Sequence, residues 1–487
     1  MRVLLFNPRM EKSFRPVSVP LGLMSIATYL NANGHEAIIC DMSHLKEKPE
    51  ELIKKYSPDF AGISVITYRA IKNAAEISAA AKALNVNVVW GGPMASVVPE
   101  EILRGGYADY ISMGEGEESW LEMARHYDAN LPFDDIRGIA FLRNGRFVEN
   151  EQGELLDLSL LPKLDWSLIN PENYFHTGYG CKKQLHIYYS KGCIGNCTFC
   201  YNREFNRSVR RRRNLDYLIE EMKYLVENHG ADGFEFTDDL MFNNTEQMRE
   251  FCGRIIESGL EVTWGGYLRV GIVNDEEDFA LMHESGCRMI MFGVESGSEK
   301  VQRKINKFIP AEKIIRTVSL CKKVGITPLI TFILGFPEES EDDVKKTLSL
   351  VKTLDDANCF FNLYTPLPGT KMHDDLVHEK KYDSLRTLKA HSNVSFGEKF
   401  VVNFSNVRTF ELYTIRKYFR IKGILFKSGN SPDEQFLKII KNTLTSMKGK
   451  GILYFIKAGF FTGISLIKSF TMFLHPKIRK KYELYFF

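Results

Sequence analysis

Cysteine is scarce in this chain: nine in 487 residues, with no spacing that suggests a disulfide framework. A small stapled extracellular scaffold is therefore excluded. The start, Met1-Arg2-Val3-Leu4, shows no basic region, apolar core and cleavage site in succession, so a cytoplasmic protein is expected. A net excess of either charge is also lacking, the formal value being +3. No basic run is interleaved with aromatic residues, so nucleic acid is not an expected partner. What remains is a globular composition, 44% hydrophobic and 26% charged, in a chain long enough for two or three domains with their own cores.

The few cysteines are not scattered. Cys193, Cys197 and Cys200 form a C-x3-C-x2-C clamp directly after an apolar stretch, Leu185–Tyr189. Chance would produce that spacing only ~0.003 times in such a cysteine-poor chain. Three thiolates so close suit iron–sulfur ligation, with one iron of a cubane left open for an outside ligand. A closed zinc site would need a fourth ligand, and Cys181 and His186 reach the clamp only through an awkward return of the chain.

Downstream, short apolar runs alternate with helical periods. Strands are expected at Leu185–Tyr189, Gly233–Thr237, Val262–Leu268, Arg288–Val294, Pro328–Leu334 and Cys359–Tyr364. Helices are expected at Leu215–Asn228, Glu246–Ser258, Glu276–Glu284, Ala311–Val324 and Ser340–Leu354. Single helices between strands imply a parallel sheet with right-handed crossovers, and chemistry at the strands' carboxyl ends. Residues 1–130 alternate in the same way, as an open doubly wound sheet.

With Phe199 ahead of its third cysteine, the clamp resembles the signature of the radical S-adenosylmethionine (SAM) superfamily. The resemblance implies an α/β fold: an N-terminal Rossmann-like cobalamin-binding domain, a (β/α)6 partial TIM-barrel radical SAM domain and a helical C-terminal segment. It also implies a [4Fe-4S] cluster on Cys193, Cys197 and Cys200, with SAM chelated at the open iron and cleaved reductively to an adenosyl radical. In the same terms Asp238 and Asp239 resemble the position that meets the methionyl amine, where a carboxylate suits an ammonium group. Arg269 would pair with the SAM carboxylate, Glu295 and Ser296 would contact the ribose, and Gly335, Pro337 and Pro368 would line the adenine. Each of these is also an ordinary βα-loop residue, a helix cap or a turn; their recurrence at successive strand ends favours the functional reading.

The N-terminal sheet resembles the cobalamin-binding fold at two strand ends: Gly62-Ile63-Ser64-Val65-Ile66-Thr67, and Trp90-Gly91-Gly92-Pro93. Ser64, Thr67, Gly91 and Gly92 are the expected contacts. Met113-Gly114-Glu115-Gly116-Glu117 opens a helix as in cobalamin-domain radical SAM proteins. The Asp-x-His-x-x-Gly motif is missing, and the loop 7–22 contains no histidine. The expectation is cobalamin without a histidine lower ligand.

The expected domains are thus 1–130, cobalamin-binding-like; 131–184, a linker with a hairpin at Asn144-Gly145; 185–385, radical SAM; and 386–487, basic, hydrophobic and helical. The resemblance implies a methyltransferase acting on an unactivated carbon or phosphorus of a small-molecule or lipid substrate, with a flavodoxin- or ferredoxin-type reductant. A non-methylating cyclisation, ring contraction or oxidation is the alternative.

Arg207 and Arg210 to Arg213 are read as a solvated stretch before a helix capped by Asn214. The last region, with helices expected at Phe410–Lys422 and Asp433–Lys448, holds an apolar stretch from Ile452 to Leu474 followed by Lys477, Arg479, Lys480 and Lys481. Two readings stay open there: packing as a substrate lid, which is favoured, and peripheral contact with an anionic membrane.

Overall fold

A computed structural model describes residues 1–10, 17–354, 357–378 and 403–425. The helix expected at Asp433–Lys448 and the apolar, basic tail lie outside the described residues. Among the described residues no helix is long and apolar enough to cross a membrane. The chain divides into two compact units.

The first unit takes in Met1–Ile290, Val324–Ile326 and Pro366–Phe396. Its N-terminal strands are β1 (Arg2–Asn7), β2 (Glu36–Asp41), β3 (Phe60–Ser64), β4 (Asn87–Gly91), β5 (Tyr110–Ser112), β6 (Ile139–Arg143) and β7 (Arg146–Glu149). They hydrogen-bond in the order β2-β1-β3-β4-β5-β6-β7, parallel through β5 and antiparallel beyond it. Strands buried on both faces read as continuous apolar runs; Val3 to Phe6 and Val88 to Trp90 are almost wholly inside. Val3, Leu5, Phe60, Val89, Trp120 and Ile139 meet in one core cluster.

The hairpin β6–β7 was expected in a linker. Instead it extends this sheet, Ser112 of β5 lying opposite Ile139 of β6. A two-stranded hairpin is marginal alone and gains stability by pairing with an exposed sheet edge.

The same unit continues with β8 (His176–Gly178), β9 (Cys181–Ile187), the short β10 (Ser190–Lys191) and β11 (Arg211–Arg212), then β12 (Gly233–Phe236) and β13 (Thr263–Leu268). Strand β9 pairs antiparallel with β8 and parallel with β12, and β12 pairs parallel with β13. Helices Leu215–His229, Thr245–Glu257 and Glu276–Glu284 separate these strands, within a residue of the sequence expectation. Asn214 caps the first by accepting from the Asp216 and Tyr217 amides, and Asn244 caps the second. Strand β14 (Cys287–Glu295) begins in this unit.

The second unit contains the end of β14, β15 (Thr327–Leu334), β16 (Asn358–Leu363) and helices Glu299–Lys304, Ala311–Lys323, Glu341–Thr353 and Thr409–Leu425. Strands β15 and β16 are parallel. Phe361 of β16 stacks on Phe332 of β15 at 5.0 Å and meets Phe419 of the last helix at 4.5 Å. From β12 onward strands alternate with helices, and helices Lys371–His378 and Thr409–Leu425 follow the last strand among the described residues.

Candidate active site

The cysteine clamp sits on a loop closed at its base. Ser190 and Lys191 pair antiparallel with Arg212 and Arg211, so residues 192–210 leave and return through one two-residue ladder. Gly192 has φ +85°, and a Cβ there would collide with the Val209 carbonyl. Only glycine meets both demands. Within the loop the Gly195 amide donates to the Cys193 sulfur at 3.3 Å, and the Cys200 amide to the Cys197 carbonyl at 3.2 Å. Asn202 Nδ2 donates to the Cys193 carbonyl at 2.8 Å.

No cysteine forms a disulfide, and only the three on this loop are partly exposed. Elsewhere burial pushes the thiols of Cys40, Cys252 and Cys321 up to about 12. All six cysteines outside the loop are buried, so the loop concentrates all the accessible thiol chemistry.

Arg269, at the end of β13, stands at the lip of the clamp. A Cβ on Gly195 would lie 3.3 Å from the Cys193 sulfur and 3.4 Å from Arg269 Nη1. The two neighbouring aspartates have different surroundings. Asp238 is 3% exposed and accepts from the Tyr189 amide at 3.1 Å and from both the amide and the hydroxyl of Ser190 at 2.5 Å. Burial raises its carboxyl to about 6 despite those donors. It ties the end of β9 to the end of β12. Asp239 stays exposed, accepting from the Gly192 amide at 3.2 Å and Asn206 Nδ2 at 3.4 Å. Of the pair it is the one available to a ligand beside the clamp. Phe199, in the clamp, is partly exposed.

Of the arginines beyond the clamp, Arg207 is exposed and Arg212 partly so, as a solvated stretch would be, whereas Arg210, Arg211 and Arg213 are internal, contrary to the sequence expectation. Arg213 is 4% exposed and pairs with buried Glu221. Arg210, 8% exposed, donates to the Leu240 and Met241 carbonyls. Arg211 reaches both Glu115 oxygens, at 2.5 and 3.0 Å, and Arg212 reaches Glu250 at 2.5 Å. A guanidinium with five donors in a fixed fork suits such internal bracing.

One of these pairings reaches the N-terminal sheet. Lys191, two residues before Cys193, lies 2.9 Å from Glu117 and 3.4 Å from Glu115 at the start of helix Gly116–Asp128. Burial works against the Lys191 charge, but Glu117 and Glu115 outweigh it and hold the ammonium above its ordinary range. Burial likewise opposes ionisation of Glu115, yet Lys191 and Arg211 leave its carboxyl below the usual range.

The strand ends of the N-terminal sheet open on an apolar cavity of about 220 Å³ lined by Ile66, Thr67, Pro93, Met94, Val97, Tyr201, Leu367 and Pro368. It brings together Thr67, expected for cobalamin, and Pro368, expected for adenine. Met94, Val97 and Tyr201 carry no sequence signal of this role, since single apolar residues in loops have no period, although Tyr201 directly follows Cys200. Gly92 has φ +92°, and a Cβ there would press to 3.1 Å on the Val65 carbonyl. Ser64 lies opposite Gly91 in the β3–β4 pair. The Thr67 hydroxyl is buried with no hydrogen-bond partner among the described residues. An orphaned hydroxyl beside an apolar cavity and a close-packed glycine turn fits a large, mostly apolar ligand with polar edges.

In the second unit, Glu295 ends β14 with φ +67° and bonds Lys307 at 2.7 Å. A non-glycine residue held in the left-handed region is uncommon and clusters at functional sites. Ser296 is fully buried, 3.2 Å from the Thr347 hydroxyl. Gly335, at φ +88°, donates its amide to Glu339 at 2.6 Å across the turn that contains Pro337. Glu339 is 1% exposed, and burial pushes its carboxyl up to about 8.

Residues 187–351 match the Radical SAM superfamily, and residues 12–123 match the B12 binding domain. An uncharacterized methyltransferase of Pyrococcus horikoshii is 30% identical over 386 residues, 76% of this chain and 82% of the relative. The anaerobic magnesium-protoporphyrin IX monomethyl ester cyclase of Rubrivivax gelatinosus is 25% identical over 434 residues, 84% of this chain and 77% of that protein. Among solved structures, the radical SAM methyltransferase TsrM of Kitasatospora setae, with cobalamin and a [4Fe-4S] cluster bound, superposes with TM-score 0.67 at 21% identity. That likeness covers 78% of each chain.

Proposed function

Because the chain belongs to the cobalamin-binding-domain radical SAM proteins, we propose that it is a cobalamin-dependent methyltransferase acting on an unactivated carbon, or phosphorus, of a small-molecule or lipid substrate. The observation that carries this reading is the glycine-closed loop with the only three partly exposed thiols, the Arg269 guanidinium at its lip. Cys193, Cys197 and Cys200 would hold the [4Fe-4S] cluster, and the Gly195 amide already donates to one of the sulfurs. Asp239 is the carboxylate suited to the methionyl amine of SAM, and Arg269 the cation suited to its carboxylate. Ser64, Thr67, Gly91 and Gly92 are the residues suited to cobalamin, the last two admitting a ligand against the backbone.

When bound, the cluster and SAM supply the radical chemistry and cobalamin a transferable methyl group. The protein's own residues do the rest. Ile66, Pro93, Met94, Val97, Leu367 and Pro368 give the cavity its apolar lining, and Tyr201 lines it directly after the third cysteine. Lys191 and Arg211, held by Glu115 and Glu117, fix the base of the thiol loop to the helix that follows β5. The loop 7–22 contains no histidine, so the residues that would hold a corrin are Ser64, Thr67 and the Gly91-Gly92 turn.

Non-methylating ring formation is the second reading, favoured by the match to a cyclase over 84% of this chain. The test is anaerobic purification with cobalamin supplied, cluster reconstitution and quantification of iron, sulfide and corrin. About four irons and one corrin per chain, with the iron lost in Cys197→Ala, support the proposal. Iron without corrin removes the methyl-transfer mechanism. A product heavier by one CH2 then separates methyl transfer from cyclisation.

A further inference from the structure

Strands β8, β9 and β12 carry a second cluster of metal-ligating side chains, distinct from the cysteines. Glu235 lies between Phe234 and Phe236, and the Phe236 ring packs edge-on against Phe251 of helix Thr245–Glu257 at 5.3 Å. Successive strand residues point to opposite faces, so Glu235 projects from the face away from that helix. His186 sits directly opposite Glu235 in the parallel β9–β12 pair, and His176 sits opposite Gln184 in the β8–β9 pair. A register irregularity follows His176, whose ring stacks on that of His186 at 4.5 Å.

The donor atoms converge without satisfying one another. Nε2 of His176 and Nε2 of His186 lie 3.6 and 3.8 Å from the same Glu235 oxygen, too far for hydrogen bonds. One ligand atom from each of the three residues falls within 4.8 Å of the others. His176 Nδ1 lies 3.3 Å from the Tyr174 carbonyl. A carbonyl only accepts, so that nitrogen carries the hydrogen and Nε2 turns a lone pair toward the carboxylate. Among the described residues His176 Nε2 and His186 Nδ1 have no hydrogen-bond partner. Nor does either amide atom of Gln184, fully buried two residues before His186 on the same face. The His176 Nε2 lone pair, buried and 3.6 Å from a Glu235 oxygen that it does not bond, is an arrangement a cation between them would complete.

We propose that His176, His186 and Glu235 form a metal site for a divalent transition ion of zinc's class, with a fourth position left for water or a substrate atom. Two imidazoles and a carboxylate are a donor set of open zinc sites. Tetrahedral zinc places its ligands ~3.3 Å apart, so the two carboxylate contacts, 3.6 and 3.8 Å, close by a few tenths of an ångström, and the two imidazoles, stacked at 4.5 Å with ligand atoms within 4.8 Å, must tilt toward one another. A ring nitrogen bound to a backbone carbonyl, with its partner nitrogen on the metal, is the usual outer-shell arrangement.

The test uses the full-length holoprotein, its cysteines occupied by the reconstituted cluster. The protein is washed with chelator, titrated with zinc against a chromophoric competitor and examined at the zinc absorption edge. The expected result is one zinc per chain with only nitrogen and oxygen neighbours, bound at least tenfold more weakly in Glu235→Gln and His176→Gln. Variants are compared at parental iron content and melting temperature. His176→Gln, on the short strand β8, serves if Glu235→Gln fails to fold. Substoichiometric zinc, a sulfur-containing shell, or variants that bind like the parent would overturn the assignment. Because iron and corrin are counted separately, failure here leaves the methyltransferase proposal standing.

Discussion

Gly192 shows how much of the site hangs on one residue. Its φ of +85° and the Val209 carbonyl at its Cβ position make the base of the cysteine loop intolerant of any side chain. Gly192→Ala should cost about 1–3 kcal/mol in backbone strain and lower iron incorporation, with distant core packing unchanged. Denaturant melts beside iron content check this; parental iron in the variant would mean that the loop closes another way.

Glu339 has a different signature. Its carboxyl titrates near 8 in the fold against 4.5 ordinarily, because burial disfavours the charged form. Between those values the folded state holds the proton that the unfolded state has released, so stability falls as pH rises and levels off above about 8. Glu339→Gln mimics the protonated acid. It should flatten that slope, matching the parent near pH 5 and exceeding it at pH 9 in urea melts. A parent whose stability is flat across that range would contradict the burial argument.

Among elements, the strands were the most legible part of the sequence. Parallel strands buried on both faces leave unbroken apolar runs, and the strand Tyr110–Ser112, like the helix Glu276–Glu284, falls where the pattern puts it. Pairing was less legible. The β6–β7 hairpin announces itself through Asn144-Gly145, but nothing local says that its partner is β5. The cysteines were plain from spacing alone, whereas the division between Asp238 and Asp239 depends on which carboxylate faces the Ser190 amide, a long-range fact. The arginine run misled for the same reason: its acidic partners Glu115, Glu221 and Glu250 are spread over 136 residues.

Those partners set a prediction at this scale. Lys191→Met leaves Glu117, 2% exposed, with Ser25 but, among the described residues, no cation paired to its Oε1. Leaving a buried charge unpaired costs about 3–5 kcal/mol. The variant should melt earlier and lose iron together with stability, while Lys191→Arg recovers part of both. Equal loss in the two variants would tie the effect to lysine's shape rather than to its charge.

At the scale of the whole molecule, cofactor loading should be visible as stability. A ligand bound only by the folded state adds ~2.7 kcal/mol at a hundred times its dissociation constant. Cobalamin should therefore raise the melting temperature of the first unit, and Gly92→Ala, which sets a Cβ against Val65, should abolish the rise. An undiminished rise in that variant would move the corrin elsewhere. Charge is also distributed at this scale. Residues 401–487 hold 16 lysines and arginines against 4 acids, so the first 400 residues carry a net −9.

The bond between the thiol loop and the helix after β5 also bears on how such proteins can be recombined. Lys191 and Arg211 frame the loop, and Glu115 and Glu117, which neutralise them, lie some 75 to 95 residues away on the N-terminal sheet. The corrin-type sheet and the cluster loop are thus not interchangeable cassettes. A chimera that borrows either half from a relative inherits a lock without its key unless both carboxylates and both cations travel as a set.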